Sequence, residues 1–169
     1  MRLFIAVNLT QEIKEELIDL QNDWYDEGVR GNYSPEENLH LTLAFIGEYP
    51  DPKRVADALK SVTFAPFPIT IEGVGAFDDL WWAGLEHSPA LGAVAKQIRR
   101  ALGYAGIPFD KKKFSPHITL LRRASAPAIP PSALKRTSMT VDTISLMRSE
   151  RGKIGMIYTE IDCIRAEKA

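Results

Sequence analysis

The chain has 169 residues, of which 45% are hydrophobic and 25% charged, enough for one ordinary globular domain and too little unbroken apolar sequence for a membrane span. A single cysteine, Cys163, excludes an internal disulfide and any cysteine-based zinc cluster. The net charge of −1 hides a polarised chain: residues 1–90 carry 6 Lys+Arg against 16 Asp+Glu, and residues 91–169 carry 15 against 6. A basic half of this kind suggests an anionic partner.

In chain order, residues 2–9 alternate as a strand, too short and too soon interrupted for a signal peptide, so the cytoplasm is the expected location. Thr10 offers a cap for a helix over 11–26 with Ile13, Leu17, Leu20 and Trp24 on its apolar stripe. Residues 28–35 read as a loop and 38–46 as a strand. Asp51-Pro52 opens a helix to about Ser61, and strands follow at 69–76 and 80–85, paired as a hairpin. Ser88-Pro89 starts a helix that stops near Gly106; a strand at 117–122 follows a run of three lysines. After the Pro- and Ala-rich loop 124–131, the runs 139–148 and 155–164 read as a closing hairpin. Three strand pairs without an intervening helix argue for an α+β fold rather than a doubly wound parallel sheet. The expected architecture is a single domain over 1–169, bilobal and pseudo-twofold. Two mostly antiparallel sheets line a central cleft, with helices packed outside.

Two segments stand apart chemically. His40-Leu41-Thr42-Leu43 is echoed by His117-Ile118-Thr119-Leu120, and these take two of the chain's three histidines. Residues two apart in a strand share a face, so each imidazole lies beside a hydroxyl while Leu41 and Ile118 point to a core. Imidazole holds both protonation states near neutrality, so a pair supplies a base and an acid at one pH. The hydroxyls of Thr42 and Thr119 can donate to oxygens that gain charge in a transition state. In-line displacement at a phosphodiester suits this layout and needs no metal. A zinc site lacks a third ligand, because His87 precedes a helix cap and no carboxylate stands at a ligand spacing. The lysines at 111–113 and Arg122-Arg123 bracket His117 and could steer a phosphate backbone. Trp81-Trp82, Phe45 and Tyr33 are candidates to stack a base, with at most one of the tryptophans facing the cleft.

The doubled motif resembles the paired H-x-T-x signatures of the two-histidine (2H) phosphoesterase superfamily, and more closely the bacterial and archaeal RNA 2′,3′-cyclic phosphodiesterases, also called LigT-like or 2′-5′ RNA ligase proteins. The similarity extends to Arg2-Leu3-Phe4-Ile5-Ala6, to 38–48, to 114–122 and, weakly, to Ser149, Gly155 and Tyr158. It implies a bilobal fold with the motifs on central strands, and metal-independent hydrolysis of RNA 2′,3′-cyclic phosphate ends to 2′-phosphomonoesters. Run in reverse, the same site would act as a 2′-5′ ligase. It also implies His40 as proton donor and His117 as proton acceptor, with Thr42, Thr119 and Arg122 on the substrate; no cofactor or metal is expected, and a monomer is assumed. Arg122 falls at an odd spacing from Thr119, so it reaches the cleft only where the strand twists or ends. Two other readings fit the residues: a non-catalytic binder of phosphorylated RNA ends, and a phosphodiesterase of small cyclic nucleotides or ADP-ribose cyclic phosphate.

Overall fold

The computed structural model describes residues 1–131 and 133–167. Strands β1 (Arg2–Asn8), β3 (His40–Glu48), β8 (Thr143–Arg151) and β9 (Met156–Arg165) form one sheet in the order β3-β1-β8-β9. The second sheet runs β2-β6-β5-β4-β7, from β2 (Asn32–Tyr33), β6 (Ile118–Arg122), β5 (Leu80–Leu85), β4 (Phe67–Phe77) and β7 (Ser138–Val141). Every pairing is antiparallel.

Helices α1 (Gln11–Asp26), α2 (Pro52–Leu59) and α3 (Pro89–Tyr104) start where the capping residues place them. The side chains of Thr10, Asp51 and Ser88 accept from the backbone N–H groups of Ile13, Arg54 and Leu91, and Pro52 and Pro89 open α2 and α3 without an orphaned donor. The apolar stripes of α1 and α3 are buried behind the sheets, and Trp24 of α1 meets Trp81 of β5 edge-on at 5.1 Å. One cluster of buried residues runs through both sheets and all three helices. The buried Gln21 of α1 donates to the carbonyls of Ser34 and Leu120, pinning that helix to the back of β6.

Two expectations need correction. The run 139–148 is not one strand: it breaks at Asp142, so β7 joins β4 in the second sheet while β8 joins β1 and β9 in the first. Residues 28–35 are not wholly loop, since Asn32 and Tyr33 pair with Arg122 and Leu121, and a 3₁₀ turn covers Glu36–Asn38. The two sheets are interleaved along the chain. The first sheet takes β8 and β9 from the second half, and the second takes β2, β4 and β5 from the first.

Candidate active site

Leu41 and Leu43 are buried while His40 and Thr42 are half-buried, so both polar side chains of the first motif face away from the core. The second motif repeats this: Ile118 and Leu120 are buried, and His117 and Thr119 are half-buried. Strands β3 and β6 lie against one another where the two sheets meet.

Each imidazole is fixed in the same manner. His40 Nδ1 lies 2.7 Å from the carbonyl of Asn38, and His117 Nδ1 lies 2.8 Å from the carbonyl of Ser115. A carbonyl only accepts, so Nδ1 carries hydrogen in both rings and Nε2 is left to take or give a proton. His40 Nε2 is 2.8 Å from the Thr42 hydroxyl. While His40 is neutral, that hydroxyl must donate to the ring; once Nε2 is protonated, the hydroxyl hydrogen turns free for another acceptor.

The symmetry goes one step further than the motifs. Thr42 pairs with Ala6 but Ala44 pairs with Ile5, leaving Leu43 as an extra residue in β3. Thr119 pairs with Trp82 and Leu121 with Trp81, leaving Leu120 extra in β6. Each bulge falls three residues after its histidine and reverses the alternation beyond it. Phe45 and Arg122, each five residues after its histidine, thereby return to the face that carries the imidazoles. The odd spacing of Arg122 is resolved by the bulge.

Electrostatics agree with that placement. The pKa of His40 is held below the ordinary imidazole value chiefly by burial, against the opposing pull of its hydrogen bond to Asn38, and further by the charges of Arg122 and His117. Both groups are thus near enough to His40 to act on its proton. Arg122 has no carboxylate within ion-pair distance among the described residues.

Aromatic rings flank each imidazole. Phe4 and Tyr158 lie 4.9 and 5.2 Å from the His40 ring, and Phe77 and Trp82 lie 5.2 and 6.2 Å from that of His117. Of the predicted stacking residues, Trp82 reaches the site and Trp81 is 1% exposed in the core. Phe45 lies on the cleft face beneath the guanidinium of Arg2, at 4.8 Å. Tyr33 does not join the pair: its hydroxyl donates to the Val29 carbonyl, and its ring meets Tyr25. Phe4, Phe77 and the polar row of Asn8, Ser145 and Glu160 went unrecognised in the sequence. Asn8 is paired across from His40 and donates to Ser145, whose hydroxyl donates to Glu160. Their signal is long-range register, which no local spacing carries. His87 lines a separate recess with Thr70 and Ser88, and no group of three His, Cys, Asp or Glu among the described residues could hold a metal ion.

Comparison with known proteins decides the family, because the profile of the 2′-5′ RNA ligase superfamily matches residues 9–153. The chain belongs to the 2′-5′ RNA ligase superfamily. The RNA 2′,3′-cyclic phosphodiesterase of Archaeoglobus fulgidus is 37% identical, with 72% of each chain covered. The protein of that name from Thermus thermophilus is 35% identical over 96% of this chain and 88% of its own. Among solved members of the superfamily, Escherichia coli LigT in apo form superposes with a TM-score of 0.87 at 29% identity, covering 99% of this chain and 98% of that one. The same protein has been seen with 3′-AMP and with phosphate. The bilobal α+β architecture expected from the sequence is that of the superfamily. No helix among the described residues is long and apolar enough to cross a membrane.

Proposed function

We propose that this chain hydrolyses RNA 2′,3′-cyclic phosphate ends to 2′-phosphomonoesters by acid–base catalysis between His40 and His117. The observation that carries this reading is the matched presentation of the two rings, each with Nδ1 bound to a carbonyl two residues upstream, which leaves Nε2 as the nitrogen that exchanges a proton. The names of the relatives point to the same substrate.

In this mechanism water attacks phosphorus as the bond to the ribose 3′-oxygen breaks. His117 accepts the proton of the water and His40 gives a proton to the leaving oxygen, so the two rings exchange protonation states in each turnover. Thr42, Thr119 and Arg122 face the non-bridging oxygens, where fixed donors stabilise the developing charge more than the ground state. His40 must be protonated before reaction, although its surroundings disfavour the charge in the free protein. Arrival of an anionic phosphodiester offsets the charge of Arg122 and restores that proton. The same event turns the Thr42 hydroxyl toward the phosphate. With a 5′-hydroxyl attacking phosphorus in place of water, and the ribose 3′-oxygen again leaving, the same steps join two RNA ends through a 2′-5′ linkage, an outcome that abundant water opposes.

The test is turnover of a 2′,3′-cyclic nucleotide followed by phosphorus NMR, with EDTA present. A 2′-phosphomonoester peak should grow at an undiminished rate in EDTA. His40→Ala and His117→Ala should each lower the rate by about 10²–10⁴-fold, the usual share of one general acid or base, while circular dichroism stays unchanged. Shifted substrate resonances without a new monoester would assign a binding protein instead.

A further inference from the structure

We infer that the segment 107–117 is a strap that binds the RNA strand leading up to the reacting terminus, through its lysines at 111–113. This rests on the hydrolase reading above and adds the part of the substrate that the two imidazoles do not touch.

The strap ties the two catalytic strands together. It leaves α3 at Gly106, and its Asp110 N–H donates to the Phe45 carbonyl on β3 at 2.8 Å. Seven residues later it delivers His117 to the edge of β6. It therefore runs from the Phe45 end of β3 to the start of β6, beside the face that carries the imidazoles.

The strap's backbone is braced from within, and Lys111 Nζ lies 5.8 Å from the Phe109 ring. Asp110 accepts from the Lys112 N–H at 3.0 Å, and Arg99 Nη1 donates to the Lys112 carbonyl at 2.8 Å. The Arg99 guanidinium stands 5.9 Å from the Phe109 ring and 5.7 Å from that of Phe114, and its Nε is buried without a partner. A positive charge is thus sunk beneath the loop, held by π-faces and one carbonyl rather than by a carboxylate. Above it Lys111, Lys112 and Lys113 are all exposed. None of the three ammonium groups, nor the Arg99 guanidinium, has a carboxylate within 4.0 Å among the described residues. Four positive charges stand here against the single carboxylate of Asp110, in a protein whose net charge is −1.

An unpaired basic loop contiguous with a phosphodiester site is matched by a polyanion, and single-stranded RNA is the one the proposed chemistry supplies. The competing surface is at the other end of β6, where Arg30 stacks on Tyr25 at 3.8 Å and its backbone N–H donates to the Ser125 hydroxyl, two residues beyond Arg123. There Arg30 already spends Nη1 on the carbonyls of Tyr25 and Val29, and Asp23, Asp26 and Glu27 crowd the end of α1. That edge is of mixed sign and less suited to a phosphate backbone.

The triple variant Lys111→Gln, Lys112→Gln, Lys113→Gln separates the possibilities. Two substrates are compared: a 2′,3′-cyclic mononucleotide, and an RNA of roughly ten nucleotides ending in the same group, a length within the ~4–16 nucleotides a basic groove accommodates. The mononucleotide should keep its kcat/KM within about twofold. The oligonucleotide should lose roughly tenfold or more, mostly in KM, and its slope of log(kcat/KM) against log salt should flatten by about 2, since each backbone contact on a single strand contributes ~0.7. Fluorescence anisotropy of the 2′-phosphorylated RNA should show the same loss. Equal losses on both substrates, or no loss on the longer one, would overturn the strap, as would finding the length effect in Arg30→Gln, Arg123→Gln instead. Absence of turnover by the unaltered protein would refute the hydrolase reading alone, because the anisotropy comparison still reads the strap.

Discussion

In the proposed mechanism His40 carries the heaviest demand placed on any one residue, because it must accept charge in surroundings that resist it. Its pKa is lowered by burial first and by Arg122 and His117 after. The unfolded chain then binds more protons than the folded one between the ordinary imidazole pKa of ~6.5 and the lower folded value. The contribution to stability is complete above that range and is lost as pH falls through it. His40→Gln should remove this part, so the stability of the wild type, compared by urea unfolding at pH 7.5 and near pH 5.5, should decline more than that of the variant. Phosphate binding has the opposite sign. Calorimetry of inorganic phosphate binding near pH 7, in buffers of different ionisation enthalpy, should report net proton uptake, and His40→Gln should abolish most of it.

Among the elements, β4, β5 and β6 place the indole of Trp82 by leaving it room. A Cβ on Gly75 would stand 2.4 Å from two indole carbons, and one on Gly84 would stand 3.3 Å from a third. Gly75→Ala should push the indole out of its seat beside His117 at a cost of about 1–3 kcal/mol, the range for overpacking. The check is a shift in tryptophan emission together with a lower kcat/KM. Ser88→Ala is the contrasting change: loss of the α3 cap should cost about 1 kcal/mol in stability and leave turnover alone. The helices were legible in the sequence because their caps and stripes are local, with Thr10, Asp51-Pro52 and Ser88-Pro89 all starting helices where they stand. The His-x-Thr strands were legible because period-two alternation is local too. The bulges after Leu43 and Leu120 were not, since a bulge is defined by the neighbouring strand. That is why Arg122 reads as misdirected in the sequence and faces the cleft in the fold. The crossing at Asp142 escaped for the same reason: the run 139–148 favours strand throughout, and only its partners divide it.

At the scale of the whole molecule, two sheets drawn from interleaved parts of the chain bring together imidazoles that stand 77 positions apart in sequence. The charge asymmetry legible in the composition survives in the fold as unpaired lysines beside the cleft, so raising salt should slow turnover of RNA far more than that of a cyclic mononucleotide. Everything catalytic depends on both rings gripping one anion. A crystal structure with inorganic phosphate bound tests this most directly. The account predicts one phosphate with an oxygen within hydrogen-bond reach of each Nε2, and with the Thr42 hydroxyl turned onto it. A phosphate seated on one imidazole alone, or held away from both, would contradict it.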